Sequence, residues 1–223
     1  MFDDISHRYD FLNHFLSLGV DKGWRKKVIH RLSKQNVQHL LDVATGTGDL
    51  AIAAAKAGIP KITALDLSEG MLRKGREKSQ QKNLDQNITF LKGDSENLPF
   101  EDNTFDGITV SFGVRNFENL NIGLREMTRV LQPGKTLYVL EFSKPSGFPF
   151  KQIFQFYFRF ILPFWGRLIA RHPSAYTYLP DSVAAFPEGK EFMQRMTDAG
   201  LTDTRYLRLT FGVCTLYSGI KPS

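Results

Sequence analysis

One turn constrains the fold of this chain more than any other feature: Asp42-Val-Ala-Thr-Gly-Thr-Gly-Asp-Leu-Ala51. It lies between a short apolar run over 37–43, read as a first strand, and a helical stretch over 50–57. Glycines in a strand-to-helix turn permit positive φ and let a ligand approach the backbone closely. The alternation continues downstream. Strands are expected over 61–66, 88–91, 105–111 and 136–142, with helices over 69–82 and 120–131, the latter stopped by Pro133-Gly134. A helix over 188–199 and strands over 205–209 and 211–220 close the chain. Strands alternating with helices predict an α/β Rossmann-like fold, a mostly parallel seven-stranded sheet with helices on both faces. With 223 residues and no linker or repeat, one domain is expected over 1–223, carrying an aromatic-rich helical insertion at about 146–185.

Composition narrows the class. The single cysteine, Cys214, excludes an internal disulfide and a cysteine-rich zinc site, and no metal site is expected. The start Met1-Phe2-Asp3-Asp4 lacks the basic and apolar regions of a signal peptide, which points to the cytoplasm. The net charge of +6 is unevenly spread. Residues 22–34 hold six basic side chains and 142–180 hold five, with no acid in either stretch. Such asymmetry fits contact with a polyanion, either an anionic membrane or nucleic acid; a solvated basic face is the plain alternative.

The turn reads as Gly46-x-Gly48-x-x-Ala51, which fits a dinucleotide as well as S-adenosylmethionine (SAM). Asp66, twenty residues beyond Gly46, ends the second strand, where it can accept both ribose hydroxyls. Asp49 separates the two ligands. A pyrophosphate sits on the helix N-terminus, and a carboxylate there repels it, whereas SAM carries a sulfonium and an ammonium. Asp49 can instead be a helix N-cap, and the two roles can coexist. Asp42 adds a second carboxylate at the same strand end, and Asp94 of Gly93-Asp94-Ser95 can accept from an adenine amino group. Thr47, Leu67, Ser95 and Ser111 complete the expected cofactor site, and the fold is then that of a class I SAM-dependent methyltransferase.

Several blocks resemble the ubiquinone/menaquinone biosynthesis C-methyltransferases. They include Phe2-Asp-Asp-Ile-Ser-His-Arg-Tyr-Asp-Phe-Leu-Asn13, Gly19-Val-Asp-Lys-Gly-Trp-Arg-Lys26, Ala44-Thr-Gly-Thr-Gly-Asp49 and Asp66-Leu-Ser-Glu-Gly-Met-Leu72. Further on come Gly93-Asp-Ser-Glu-Asn-Leu-Pro-Phe100, Ser111-Phe-Gly-Val-Arg-Asn116, Leu140-Glu-Phe-Ser-Lys-Pro145 and Tyr178-Leu-Pro-Asp-Ser182. The resemblance spans nearly the whole chain. Its first block and the Phe-Ser-Lys-Pro block are far more specific than the glycine turn. Members of that family carry an extension before the Phe2 block, so part of a cap over the pocket is expected to be missing. Lys135 stands where a second glycine is usual, and Phe211 where a glycine is common.

The resemblance implies methyl transfer from SAM to a ring carbon of a polyprenyl hydroquinone. Demethylmenaquinol is the first expectation and a benzoquinol of ubiquinone biosynthesis the second. A ring carbon is a poor nucleophile until a neighbouring phenol, with a pKa of ~10, loses its proton. Arg115 is the candidate for holding the phenolate, with a surface ion pair as its alternative; Asn116 can orient the second ring hydroxyl. For the base, Tyr9, His7 and His172 are candidates, with Asp10 acting through water as another. His7 has a suitable ordinary pKa of about 6.5, although an exposed helix histidine is an equal reading. His14, His30 and His39 read as structural or exposed.

The stretch Phe148–Arg171 is dense in aromatics but broken by Lys151, Arg159, Pro163 and Arg167, so it does not span a bilayer. It reads as a basic aromatic helix at a membrane interface, on the inner face of the cell membrane, or as a core or dimer helix. The competing functions are an RNA or small-molecule methyltransferase of the same fold and a non-catalytic SAM-binding or membrane-scaffold protein. No RNA-binding module accompanies the basic stretches, so no nucleic-acid partner is expected. A dehydrogenase is disfavoured by Asp49.

Overall fold

In the computed structural model, residues 19–156 and 182–223 are described. The candidates His7, Tyr9, Asp10, His14 and His172, and most of the aromatic stretch, lie outside them.

The basic run forms helix α1 (Asp21–Lys34), which was not expected as an element. It has one apolar stripe: Trp24, Val28 and Leu32 are buried at i, i+4 and i+8, while Lys22, Lys26, Lys27 and Lys34 face solvent. Then follow β1 (His39–Val43), α2 (Asp49–Lys56), β2 (Lys61–Asp66), α3 (Glu69–Gln80), β3 (Ile88–Lys92) and β4 (Gly107–Ser111). A 3-10 turn (Val114–Asn116) leads to α4 (Leu120–Val130), β5 (Thr136–Phe142) and α5 (Phe150–Phe156). The chain ends with α6 (Lys190–Asp198), β6 (Thr202–Leu209) and β7 (Cys214–Ile220). Side chains begin two helices: Ser68 Oγ accepts from the Met71 N–H at 3.2 Å, and Asn119 Oδ1 from the Ile122 N–H at 3.2 Å.

The seven strands form one sheet in the order β3-β2-β1-β4-β5-β7-β6. β7 runs antiparallel between β5 and β6, and the other neighbours are parallel. This is the expected α/β Rossmann-like fold. Strand alternation sorts the core. Leu40, Tyr138 and Leu140 pack with Trp24, Val28 and Leu50 on one face; Leu41, Val139 and Ile108 pack with Leu124, Met127 and Phe192 on the other. β5 is buried at every position, so a largely apolar run marks the strand, with Glu141 its one charged residue.

Three strands begin later than expected; β1 starts at His39, and the other two shift for local reasons. β4 begins at Gly107 because Phe105 pairs with Leu131 instead, in an isolated bridge, while the Asp106 carboxylate accepts from the N–H groups of Gln38 and His39, both at 2.8 Å, at the start of β1. The expected strand over 211–220 starts at Cys214, because Thr210 and Phe211 take positive φ values of 45° and 56° in a 3-10 turn. His39 lies at the opposite end of β1 from the glycine turn, half-buried against Phe105.

Candidate cofactor and acceptor site

The order of strands reverses between β1 and β4, and ligands in such sheets bind beyond the strand ends at that point. The chain leaves β1 there through Gly46 and Gly48, at φ 58° and 77°. A Cβ on Gly48 would lie 2.8 Å from a ring carbon of Phe90, so the turn needs glycine for space as well as for φ. Gly48 occupies the N-cap of α2, which corrects the reading of Asp49 as N-cap: Asp49 is the first helical residue and complements the helix dipole.

A cavity of about 270 Å³ opens over these strand ends. Gly46, Asp66, Leu67, Asp94, Ser95 and Asn116 are among its lining residues, so much of the expected cofactor set converges on it. Asp66 Oδ2 accepts from the Gly46 N–H at 2.7 Å and its Oδ1 from the Ser68 N–H at 2.9 Å, which ties the two loops together. Asp94 Oδ1 takes the Glu96 N–H at 2.9 Å and shapes the loop after β3.

A polar recess adjoins the cavity, sharing Ala44, Gly46 and Phe112 with it. Asp42, Thr47, Asp49, Ser111 and Arg25 line it. The Asp42 carboxylate is 1 % exposed and accepts from Thr45 Oγ1 at 2.6 Å and Thr109 Oγ1 at 2.7 Å. Burial pushes its pKa up to about 6, against the pull of these bonds and of Arg25. Asp49 is not the free anion that the sequence reading required. Lys78 Nζ lies 2.5 Å from one of its oxygens and Arg25 Nη2 3.5 Å from the other, so its charge is matched. Lys78 also donates to Thr47 Oγ1 at 2.9 Å. Ser111 Oγ is buried and makes no hydrogen bond among the described residues.

Arg115 and Asn116 part company. Asn116 lines the first cavity, whereas Arg115 lines a neighbouring cavity of about 630 Å³ with Val114, Phe117, Leu120, Ala185 and Phe186. Phe117 and Glu118 belong to both cavities. Arg115 does pair with an acid, but the pair is buried: its Nη1 donates to Glu141 Oε1 at 2.8 Å and to the carbonyl of Phe112. Its side chain is 6 % exposed and that of Glu141 is 0 %.

The sequence reading missed Arg25 and Glu141. Arg25 follows Trp24 on the buried side of α1, and the Trp24–Val28–Leu32 spacing was the available signal. Glu141 is the one acid inside the apolar run 136–142.

The model of the ubiE/COQ5 methyltransferase family matches residues 1–221. The chain is 46% identical to the demethylmenaquinone methyltransferase of Bacteroides fragilis over 222 residues, covering 99% of this chain and 91% of that protein. It is 44% identical to the ubiquinone/menaquinone biosynthesis C-methyltransferase UbiE of Geobacter sulfurreducens, covering 99% and 87%. Among solved structures it is similar to a SAM-dependent methyltransferase from Aquifex aeolicus, with a TM-score of 0.63 at 22% identity, covering 88% of each chain.

Proposed function

Because the chain belongs to the ubiE/COQ5 methyltransferase family, we propose that it transfers a methyl group from SAM to a ring carbon of a polyprenyl hydroquinone, converting demethylmenaquinol to menaquinol. The 46% identity to the Bacteroides fragilis enzyme along nearly the whole chain carries this reading. A benzoquinol of ubiquinone biosynthesis is the second acceptor to test, given the Geobacter relative.

The residues present suit SAM. Asp42 is a buried carboxylate held in an unfavourable state, and Ser111 Oγ beside it has no partner among the described residues. Both favour a cationic, hydrogen-bonding ligand and neither suits a pyrophosphate. Asp66 would take the ribose hydroxyls, with Gly46 and Leu67 beside it; Asp94 and Ser95 would meet the adenine; Asp42, Thr47, Gly48, Ser111 and Arg25 would surround the amino-acid end. Asp49 contributes by orienting Lys78 and Arg25. When bound, SAM supplies the electrophilic methyl, and the protein supplies orientation and charge.

The acceptor ring must bring its carbon to roughly 3–3.5 Å from the methyl. Phe117 lines both cavities and Asn116 lines the first of them beside it, which suits a flat ring. In this reading Arg115 stabilises the phenolate oxygen and Asn116 holds the second hydroxyl, while His7 and Tyr9 remain the candidates for removing the proton.

A lipid-tailed acceptor requires the enzyme to work at a membrane surface. We place it peripherally on the inner face of the cell membrane. Phe148, Phe156 and Phe211 are 84, 56 and 68 % exposed, with Lys144, Lys151 and Arg208 exposed near them in the chain. Among the described residues no helix is long and apolar enough to cross a membrane.

The test is turnover of purified protein with SAM and demethylmenaquinol, a demethyl-benzoquinol or tRNA, joined to mass spectrometry of quinones from a deletion strain. Accumulated demethylmenaquinone in the strain and methylation of the naphthoquinol in vitro are expected. Methylation of RNA alone, or normal menaquinone in the strain, would overturn the assignment.

A further inference from the structure

We propose that Glu141 is a positioning residue for methyl transfer, holding the Arg115 guanidinium at the edge of the cavity beside the cofactor pocket. The inference rests on the reading of Arg115 as the cation that meets the acceptor oxygen. Glu141 sits near the end of β5, and its side chain is 0 % exposed. A lone carboxylate there would be strongly disfavoured, and a well-packed apolar residue would serve stability as well as the ion pair does. Among the described residues the hydrogen bonds of Glu141 go to Arg115 and to the adjoining Phe142 N–H. Oε1 takes Arg115 Nη1 at 2.8 Å and the Phe142 N–H at 2.9 Å, while Oε2 lies 3.4 Å from the Arg115 backbone N–H. The Phe112 carbonyl takes Nη1 as well, and Arg115 Cζ stands 5.7 Å from the Phe142 ring centroid.

The pairing is incomplete in an informative way. Arginine and carboxylate usually pair through two parallel bonds, which satisfies both partners. Among the described residues a single guanidinium nitrogen, Nη1, makes the side-chain contacts with the scaffold, and Nε is buried with no partner. A donor left over on a fixed plane costs stability unless a ligand oxygen uses that group. The arrangement therefore spends one nitrogen on orientation and keeps donor capacity for a phenolate.

A double-mutant cycle of Glu141→Gln and Arg115→Lys tests this, with turnover of demethylmenaquinol and SAM affinity as readouts. Glu141→Gln should lower kcat by roughly 10²-fold, the scale of one lost charge-stabilising donor, with SAM affinity within twofold of the parent. The double variant should be no slower than Arg115→Lys alone, because Glu141 acts only through Arg115. Parent turnover in Glu141→Gln, or losses that multiply, would overturn the proposal. If Glu141→Gln does not fold, Glu141→Asp keeps the charge one methylene short and should lose at least fivefold in kcat; parent turnover there overturns it equally. A second readout needs no acceptor. The Arg115 Nε–H, assigned by its loss in Arg115→Lys, should exchange slowly with solvent in the parent and at least tenfold faster in either Glu141 variant. If the parent methylates no quinol, the proposed function fails and this exchange rate alone decides the role of Glu141: unchanged exchange refutes it.

Discussion

Replacing Asp42 with asparagine should make the protein more stable above neutral pH and worse at binding SAM. Asp42 is buried against Thr45 and Thr109, and burial raises its pKa from the ordinary 3.8 to about 6. The sign follows from proton linkage. Between pH 4 and 6 the folded state binds this proton more tightly than the unfolded state, so stability from this group falls as pH rises through about 6. Above that range the charged group carries a penalty of roughly 3 kcal/mol relative to its protonated form. Asparagine has nearly the same shape and no charge. One of the two threonine hydroxyls must then accept rather than donate, which costs about 1 kcal/mol. The net gain at pH 8 is about 2 kcal/mol, or about 4–8 °C in Tm for a chain of this size. Thermal melts of parent and variant from pH 4.5 to 8 measure it, and the difference should shrink towards zero at the acid end. The same exchange removes a negative charge that a cationic ligand would relieve, so SAM affinity at pH 8 should drop at least tenfold by calorimetry, or about 1.4 kcal/mol. A variant no more stable than the parent at pH 8, or a gain independent of pH, would refute the reasoning.

Asp66→Ala removes a charged acceptor that also ties Gly46 to Ser68; SAM affinity should fall by ~2–4 kcal/mol, and calorimetry within threefold of the parent would contradict its ribose role. Arg115→Lys keeps the charge but loses the planar fork, so turnover should drop roughly 10²-fold with SAM binding near normal; the reverse pattern would make Arg115 a cofactor residue. The protein should sediment with anionic vesicles and be released by high salt. Replacing Lys151, Arg159 and Arg167 together with Gln should weaken that sedimentation without changing SAM affinity, and equal sedimentation would remove these residues as the membrane contact.

Much of the fold was legible because its signals are local. The Gly46–Gly48 turn, the largely apolar run of β5 and the stop at Pro133-Gly134 each act within a few residues of themselves. Helix α1 carried an equally clear stripe in Trp24, Val28 and Leu32, obscured by the six basic residues around it. Where a residue paired outside its own strand, the boundary moved: Phe105 bridges Leu131, so β4 begins at Gly107.

The site divides along the same line. By itself the sequence placed Asp42, Asp66 and Asp94 at or just beyond the carboxyl ends of β1, β2 and β3, on the side of the glycine turn. Only the tertiary structure decided which charges are matched. Asp49 meets Lys78 and Arg25 across 29 and 24 residues of chain, and Arg115 meets Glu141 across 26. Backbone sterics and side-chain periodicity act between near neighbours and are written along the chain. Ion pairing depends on which side chains packing brings within about 4 Å in a medium that screens charge poorly, and that is a property of the assembled core.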